Sequence, residues 1–235
     1  MYRSFKESWK EVEDSVIGTK DYYLFTPTSL SLMPALEEIS KKYTKGRLLD
    51  VGAGRLTHKM MLSPLVESYL SLDKFIAHPG LNFAADLLGG LPFKDESFDT
   101  VFCSQVLEHL PDPKRALEEM ARILKKEGHL ILSVPHLSYI HGAPEDFFRF
   151  TCYGLKTLIE ETGLSVVEIK ACGGILSFCL TPISMISLIL GHKFSWTKRP
   201  ALFLNRYWSK IVVRFDSLID KNNIYALNYI AVGKK

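Results

Sequence analysis

"GRLLDVGAGRL", Gly46 to Leu56, is a short apolar run that ends in an acid and two glycines. It reads as a buried strand feeding a tight turn, because a strand covered on both faces loses the polar alternation of a half-exposed one. Glycines at such a turn let a ligand approach the backbone, and the segment that follows offers free N–H groups. The spacing Asp50-Val51-Gly52-Ala53-Gly54 is D-x-G-x-G. A dinucleotide fingerprint would read G-x-G-x-x-G, and Thr57 stands at its third glycine.

Outward from this turn, strand-like stretches alternate with helix-like ones: "SYLSLD" (68–73), "NFAAD" (82–86), "FDTVFCS" (98–104), "GHLILSV" (128–134), "LSVVEIKA" (164–171) and "YALNYIAVG" (225–233). That alternation predicts helices packed on a mainly parallel sheet, an α/β fold. Asp73 ends the second strand, 23 residues after Asp50, where a carboxylate can accept both hydroxyls of a ribose; Asp86 ends the third. One such acid reads equally well as a loop residue or a helix cap. Three at the same sheet edge point to a ligand there, since open α/β sheets bind at the carboxyl ends of their strands.

Phe5, Trp9, Val12 and Val16 recur at helical spacing, and a second helix is expected from about Pro34 to Lys45-Gly46. A third follows Pro113, with Asp112 as its cap, Ala116, Leu117, Met120, Ile123 and Leu124 as its apolar face, and Gly128 just past its end. The expected organisation is an N-terminal helical cap over residues 1–45 and a main domain over 46–235, with a helical insertion at about 175–221.

The chain has 235 residues, of which 47% are hydrophobic and 23% charged, enough for a substantial core. Its net charge of +3 conceals an asymmetry: residues 192–235 hold nine Lys/Arg against Asp216 and Asp220, whereas the preceding residues hold 20 basic and 24 acidic groups. The basic character is local and speaks to one surface, not to DNA binding by the whole protein. Cys103, Cys152, Cys172 and Cys179 form no C-x-x-C pair, so neither a disulfide framework nor a metal site is expected. "MYRSFKESWKEVEDSV" lacks the apolar core of a signal peptide, and a cytoplasmic protein is expected.

Together "LLDVGAG", Asp73, "AADLLGGLPFKDESFDTVFCSQVLEHLPDP" and "ILKKEGHLILSVP" resemble the small class I S-adenosylmethionine-dependent methyltransferases of the type 11/12 group, over about residues 46–172. The resemblance implies a Rossmann-like three-layer sandwich with a seven-stranded sheet and an antiparallel last strand. It implies S-adenosylmethionine as cofactor and S-adenosylhomocysteine as product. By position, Asp50, Gly52, Ala53 and Gly54 surround the methionine part of the cofactor, Asp73 binds the ribose with Lys74 beside it, Asp86 and Leu87 meet the adenine edge, and Ser104, Gln105 and Val106 line the floor beneath the methyl group. The N/D-P-P-Y/F signature of enzymes that methylate nucleobase or amide nitrogens is absent; "SQVLEH" stands in its place. Hydroxyl or carboxylate acceptors therefore fit better.

Displacement at a sulfonium methyl mainly requires positioning, plus a base where the acceptor carries a proton. His109, His136 and His141 are the candidate bases; His109, within "LEHL", reads equally as a structural residue. His141 opens "HGAPEDFFRFT", which resembles H-x-x-P-x-D-x-x-R-[FY]-T stretches of small methyltransferases often associated with glycan or glycolipid assembly. Asp146 and Arg149 are three apart and can pair on one helical turn, as a clamp or as part of a pocket in which Arg149 grips an anionic acceptor. Thr151 is read as the cap of the next helix.

Ala171–Gly191 is a run of 21 residues without a formal charge, near the length of a membrane span, but its glycines, its proline and the strand after it favour a buried or interfacial helical insertion. Leu204, Trp208, Ile211, Phe215 and Leu218 fall at helical spacing with Arg206, Lys210 and Arg214 alongside. That pattern suits a core-packed helix with a solvated basic face, a membrane surface or a lipid-linked acceptor; RNA is a further partner class, although no RNA-binding motif accompanies it. The rivals to a methyltransferase are a protein of the same fold that binds or scaffolds without catalysis, and a nicotinamide oxidoreductase.

Overall fold

The computed structural model describes residues 4–16, 25–220 and 222–235. Parts of the expected N-terminal cap, residues 1–3 and 17–24, and the last residue of the expected insertion, Lys221, lie outside them. The elements run α1 (Phe5–Val16), α2 (Pro27–Tyr43), β1 (Arg47–Val51), α3 (Lys59–Leu62), β2 (Ser68–Asp73), β3 (Phe83–Ala84), β4 (Phe98–Ser104), α4 (Pro113–Ile123), β5 (Leu124–Pro135), α5 (Cys152–Glu160), β6 (Ser165–Cys172), α6 (Ile175–Gly191), α7 (Ser195–Ile219) and β7 (Asn228–Lys234).

One seven-stranded sheet has the order β3-β2-β1-β4-β5-β7-β6. β1 pairs in parallel with β2 and β4, so Asp50 lies level with Ser71 and Phe102. β7 is antiparallel to its neighbours, as expected: the start of β5 meets the end of β7 through Glu127 and Gly128 on Lys235, and the end of β6 meets the start of β7 through Cys172 on Leu227. The central strands are continuous apolar runs because both their faces are covered; Leu48, Leu49, Val101, Phe102, Leu130, Ile131 and Leu132 are fully buried.

α4 forms as its sequence dictates. Asp112 accepts from the backbone N–H of Arg115 at 3.1 Å, Pro113 occupies the first turn, and Ala116, Leu117, Met120 and Ile123 are buried. Each of the larger side chains contributes roughly 1.5–3 kcal/mol through burial. The expected C-terminal boundary is corrected: Leu124 is extended and begins β5 at once. Gly128 lies inside that strand at an irregularity in the β4–β5 register, between the pairs Phe98–Leu124 and Thr100–His129. A Cβ there would come within 2.7 Å of the Lys125 carbonyl oxygen, so the glycine serves a bulge, not a helix end.

α2 starts seven residues before the expected Pro34, which lies inside the helix. Its true start is marked by Thr26 and Ser29, each accepting from the other's backbone N–H at 3.1 and 3.0 Å, with Pro27 at the first helical position.

Packing divides the chain into Met1–Pro34 with Ala171–Asn228, and Ala35–Lys170 with Tyr229–Lys235. The expected organisation separates residues 1–45 from 46–235 instead. In the first unit, α1 buries Trp9, Val12 and Val16 with Phe25 and with Met185 and Leu188 of α6. α7 turns the opposite face to the core from the one its apolar spacing suggested. Its buried positions are Asn205, Ser209, Val212 and Asp216, while Leu204, Trp208, Phe215 and Leu218 are exposed. The polar face is buried because partners await it. Asp216 accepts from the N–H groups of Leu176 and Ser177 at 2.7 and 3.0 Å, capping α6, and Asn205 donates to the Phe25 carbonyl. Among the described residues no helix is long and apolar enough to cross a membrane.

Candidate functional site

The turn after β1 folds back over the end of β2: the N–H groups of Gly52 and Ala53 both donate to the Leu72 carbonyl at 3.0 Å. Gly52 has φ +71° and faces Val106, whose Cγ2 would lie 2.3 Å from an added Cβ, so only glycine fits. Gly54, at φ +51°, has open space where a Cβ would stand and leaves bare backbone at the strand edge. Its N–H donates to Asp73 Oδ2 at 2.8 Å, fastening the end of β2 to the turn.

Asp50 lies beneath this turn and not in its mouth. It is 1% exposed and accepts from the Tyr69 hydroxyl at 2.6 Å. Burial pushes its carboxyl up to about 7, with the Tyr69 hydrogen bond opposing and Asp73 adding to the rise. Asp86 caps the turn that contains the buried Leu87, accepting from the Leu88 N–H at 2.9 Å. Lys74 stands 4.0 Å from Asp86 and 3.7 Å from Glu145, spanning the two sides of the edge. On the floor, Ser104 and Ser133 share a 2.7 Å hydroxyl contact; Gln105, at φ +57°, donates its backbone N–H to the Ser133 carbonyl at 2.9 Å.

Directly after Val106, which packs on Gly52, the turn Leu107–His109 meets the loop "HGAPEDFFRFT". The N–H groups of Phe147 and Phe148 donate to the Glu108 carbonyl at 2.8 and 3.2 Å. Asp146 accepts from the N–H groups of His141 and Gly142 at 2.7 and 3.1 Å, and from Arg149 through both of its oxygens at 2.5 and 3.1 Å. The guanidinium holds the Asp146 carboxyl well below the usual range. Arg149 also donates to the carbonyls of Ser138, Tyr139 and Phe148, so all five of its N–H groups are spent within the loop. The two-pronged anion grip expected of Arg149 is thus a two-pronged grip on Asp146, and the pair is a clamp that shapes the loop. Thr151 caps α5, accepting from the Gly154 N–H at 3.0 Å.

His109 and His141 come together, their rings edge to face at 5.0 Å. His136 does not join them and packs on Tyr229 at 5.3 Å. Sequence reasoning missed Glu108, which lies between the two: its side chain is 0% exposed, with Oε1 3.7 Å from His109 Nε2 and 4.0 Å from His141 Nε2. Burial pushes its carboxyl up to about 7. The available signal was its adjacency to His109 in "LEHL", but nothing in the sequence brings His141 onto the same spot.

The methyltransferase-domain family model matches residues 49–132. An uncharacterized methyltransferase of Bacillus subtilis, YcgJ, is 32% identical over 113 residues, 43% of this chain and 42% of that protein. A probable S-adenosylmethionine-dependent methyltransferase of Mycobacterium tuberculosis is 28% identical over 151 residues, 58% of this chain and 54% of that one. The chain thus spans about half or less of these curated relatives. In fold it is similar to a chain of the Haloferax volcanii complex between the Trm112 methyltransferase activator and a methyltransferase, with a TM-score of 0.60 and 19% identity, covering 98% of this chain and 97% of that one. The glycine turn and the acids at the strand ends lie in the sheet that this match spans, and residues 49–132 are similar in sequence to the methyltransferase-domain family.

Proposed function

We propose that the protein transfers a methyl group from S-adenosylmethionine to an oxygen of a small, glycan or lipid-linked acceptor. One observation supports this reading: the open glycine turn is fastened to Asp73 at the end of β2, and Val106, which packs on Gly52, leads straight into the turn whose Glu108 and His109 meet His141. The residues present suit the cofactor. Gly54 exposes backbone without a side chain in the way, and Asp73, which accepts from Gly54 at Oδ2 and at 3.5 Å from Phe75 at Oδ1, stands at the same strand end, where a carboxylate can accept ribose hydroxyls. Asp86 and Leu87 supply an acid and an apolar surface for an adenine, over the floor of Ser104, Gln105 and Val106.

S-adenosylmethionine, when bound, supplies an electrophilic methyl group on a sulfonium. The chain's own task is to hold the acceptor in line and to receive its proton. His141 and His109, buried against Glu108 yet partly open to solvent, are placed for the proton, and the Asp146–Arg149 clamp holds the loop that carries His141. Calorimetric titration with S-adenosylmethionine and, in parallel, NADH tests the cofactor. Saturable binding of the first alone is expected, weakened at least tenfold by Asp73→Ala; binding of NADH alone, or of neither, overturns the reading.

A lipid-linked acceptor is favoured by the helical unit. α7 exposes Trp196, Phe203, Leu204, Trp208, Phe215 and Leu218 at helical spacing, interleaved with exposed Lys198, Arg199 and Lys210. An apolar stripe flanked by cations suits the interface of an anionic membrane. Flotation with anionic but not neutral vesicles is expected, and its loss in the Leu204→Glu/Trp208→Glu variant; the absence of flotation with both vesicle types refutes membrane contact.

A further inference from the structure

We propose that Glu108, His109 and His141 form a binding site for one divalent transition-metal ion with open coordination positions. The first ground is an unmet demand. The Glu108 side chain is fully buried and neither of its oxygens has a hydrogen-bond partner on another residue. A buried carboxylate left unpaired is costly, and buried charges in folded proteins are ordinarily paired or bound to metal.

The second ground is what faces it. One ligand atom from each of the three residues lies within 4.8 Å of the others, with Glu108 Oε1 nearest to both imidazole Nε2 atoms, at 3.7 and 4.0 Å. These separations are longer than hydrogen bonds. A metal ion about 2.0–2.2 Å from each donor would hold them roughly 3–3.5 Å apart, so its binding would draw the three side chains closer together than they stand here.

The third ground is the outer side of each ring. His109 Nδ1 lies 2.6 Å from the Glu145 carbonyl oxygen, and His141 Nδ1 lies 3.2 Å from the Tyr139 carbonyl oxygen. A carbonyl only accepts, so both Nδ1 atoms carry the hydrogen and both Nε2 lone pairs point inwards. Metal-ligating histidines are oriented in this manner. Asp146, whose Oδ2 is 3.8 Å from His141 Nδ1, adds a carboxylate behind that ring.

Two imidazoles and one carboxylate suit zinc, iron, cobalt or manganese. Magnesium and calcium call for more oxygen ligands, and copper(I) for thiolates. The imidazoles are about one-third exposed, 29% and 32%, so three protein ligands leave room for an exogenous oxygen, as in catalytic and not structural metal sites. The consequence for catalysis rests on the proposed methyl transfer, since the open position would take the acceptor oxygen and ease loss of its proton to water. Binding of the ion itself does not depend on that reading.

The test uses the tag-free full chain, stripped with a chelator and titrated with Zn2+ calorimetrically and with Co2+ by visible absorption. One ion per chain at micromolar affinity or tighter is expected, with a tetrahedral or five-coordinate Co2+ spectrum. His141→Ala, on the loop, and Glu108→Gln, nearly isosteric, should each weaken binding on the order of 100-fold while the melting profile stays cooperative. The absence of saturable one-to-one binding, or binding unchanged in both variants, overturns the proposal. S-adenosylmethionine titrated into the same samples separates the two readings. A chain that binds the cofactor but no metal refutes only the metal site, and one that binds metal but no cofactor refutes the methyltransferase reading.

Discussion

Replacing Asp50 by asparagine should stabilise the protein relative to wild type at neutral pH, by a margin that shrinks in acid. Asp50 is buried under the glycine turn with Tyr69 as its hydrogen-bond donor, and its carboxyl is pushed up to about 7 from an ordinary value of 3.8. The folded chain therefore holds this proton more tightly than the unfolded chain does. The stability it contributes is fully present below about pH 4 and is lost as the pH rises towards 7, beyond which the loss is constant. At 1.36 kcal/mol per pH unit, the interval between 3.8 and about 7 corresponds to about 4 kcal/mol. An asparagine oxygen still accepts from Tyr69 but carries no charge at any pH, so the variant lacks this component. For a chain of this size, 1 kcal/mol moves the Tm by roughly 2–4 °C. The difference in Tm between Asp50→Asn and wild type, followed from pH 4 to pH 8, should thus grow in favour of the variant by on the order of 10 °C. Contributions from titrating groups that are not coupled to Asp50 cancel in that difference, and Asp73, which is coupled to it, adds to the rise. A difference that stays constant over the range refutes the claim that burial raises the Asp50 carboxyl.

Three further outcomes follow from particular contacts. Arg149→Ala strips the partner from an Asp146 side chain that is only 2% exposed and should cost about 2–4 kcal/mol in chemical denaturation. Turnover should fall at least tenfold while S-adenosylmethionine affinity changes less than threefold, and Arg149→Lys should not rescue it, because an ammonium cannot reproduce five forked donors. Gly52→Ala places a methyl 2.3 Å from Val106 Cγ2 at φ +71° and should cost about 1–3 kcal/mol together with most of the cofactor affinity, read by melting and titration. Asp216→Ala leaves the N–H groups of Leu176 and Ser177 without their acceptor and should lower stability by about 2–3 kcal/mol, with the earliest loss of hydrogen-exchange protection at the start of α6.

What the sequence makes legible is what local chemistry decides. The cap of α4, most of its buried face and the Thr151 cap are written in neighbouring residues and form as read, whereas Leu124, read as part of that face, opens β5. Where two local signals compete, spacing alone misleads. Pro27 and Pro34 both fit a first turn, and only the reciprocal Thr26–Ser29 pair marks the earlier one as the start of α2. α7 is amphipathic as read, but periodicity does not say which face is buried. The buried one is polar because Asp216 reaches the free N–H groups of α6 and Asn205 reaches the Phe25 carbonyl. Those partners lie 40 and 180 residues away in the chain, beyond any local pattern. Glu108 escaped for the same reason: its burial and its histidine neighbour come from a loop more than thirty residues later.

That loop also explains why one short turn governs the acceptor side. Lys74 bridges Asp86 and Glu145, but at 4.0 and 3.7 Å between half-exposed groups the bridge contributes little and cannot set the position of the loop. The stronger ties run to Glu108, whose carbonyl takes the N–H groups of Phe147 and Phe148, and to His109, whose Nδ1 meets the Glu145 carbonyl. Backbone and side chain of one residue therefore have separate tasks: the Glu108 carbonyl holds the loop down, and the Glu108 carboxylate faces the histidine that the loop delivers. Replacing the carboxylate leaves the carbonyl in place. Glu108→Gln should accordingly alter proton or metal chemistry at His109 and His141 with the loop still seated, whereas Arg149→Ala should unseat the loop with the carboxylate intact. Those two routes to lost turnover separate in hydrogen exchange over residues 138–150, which should be unchanged in the first variant and faster in the second.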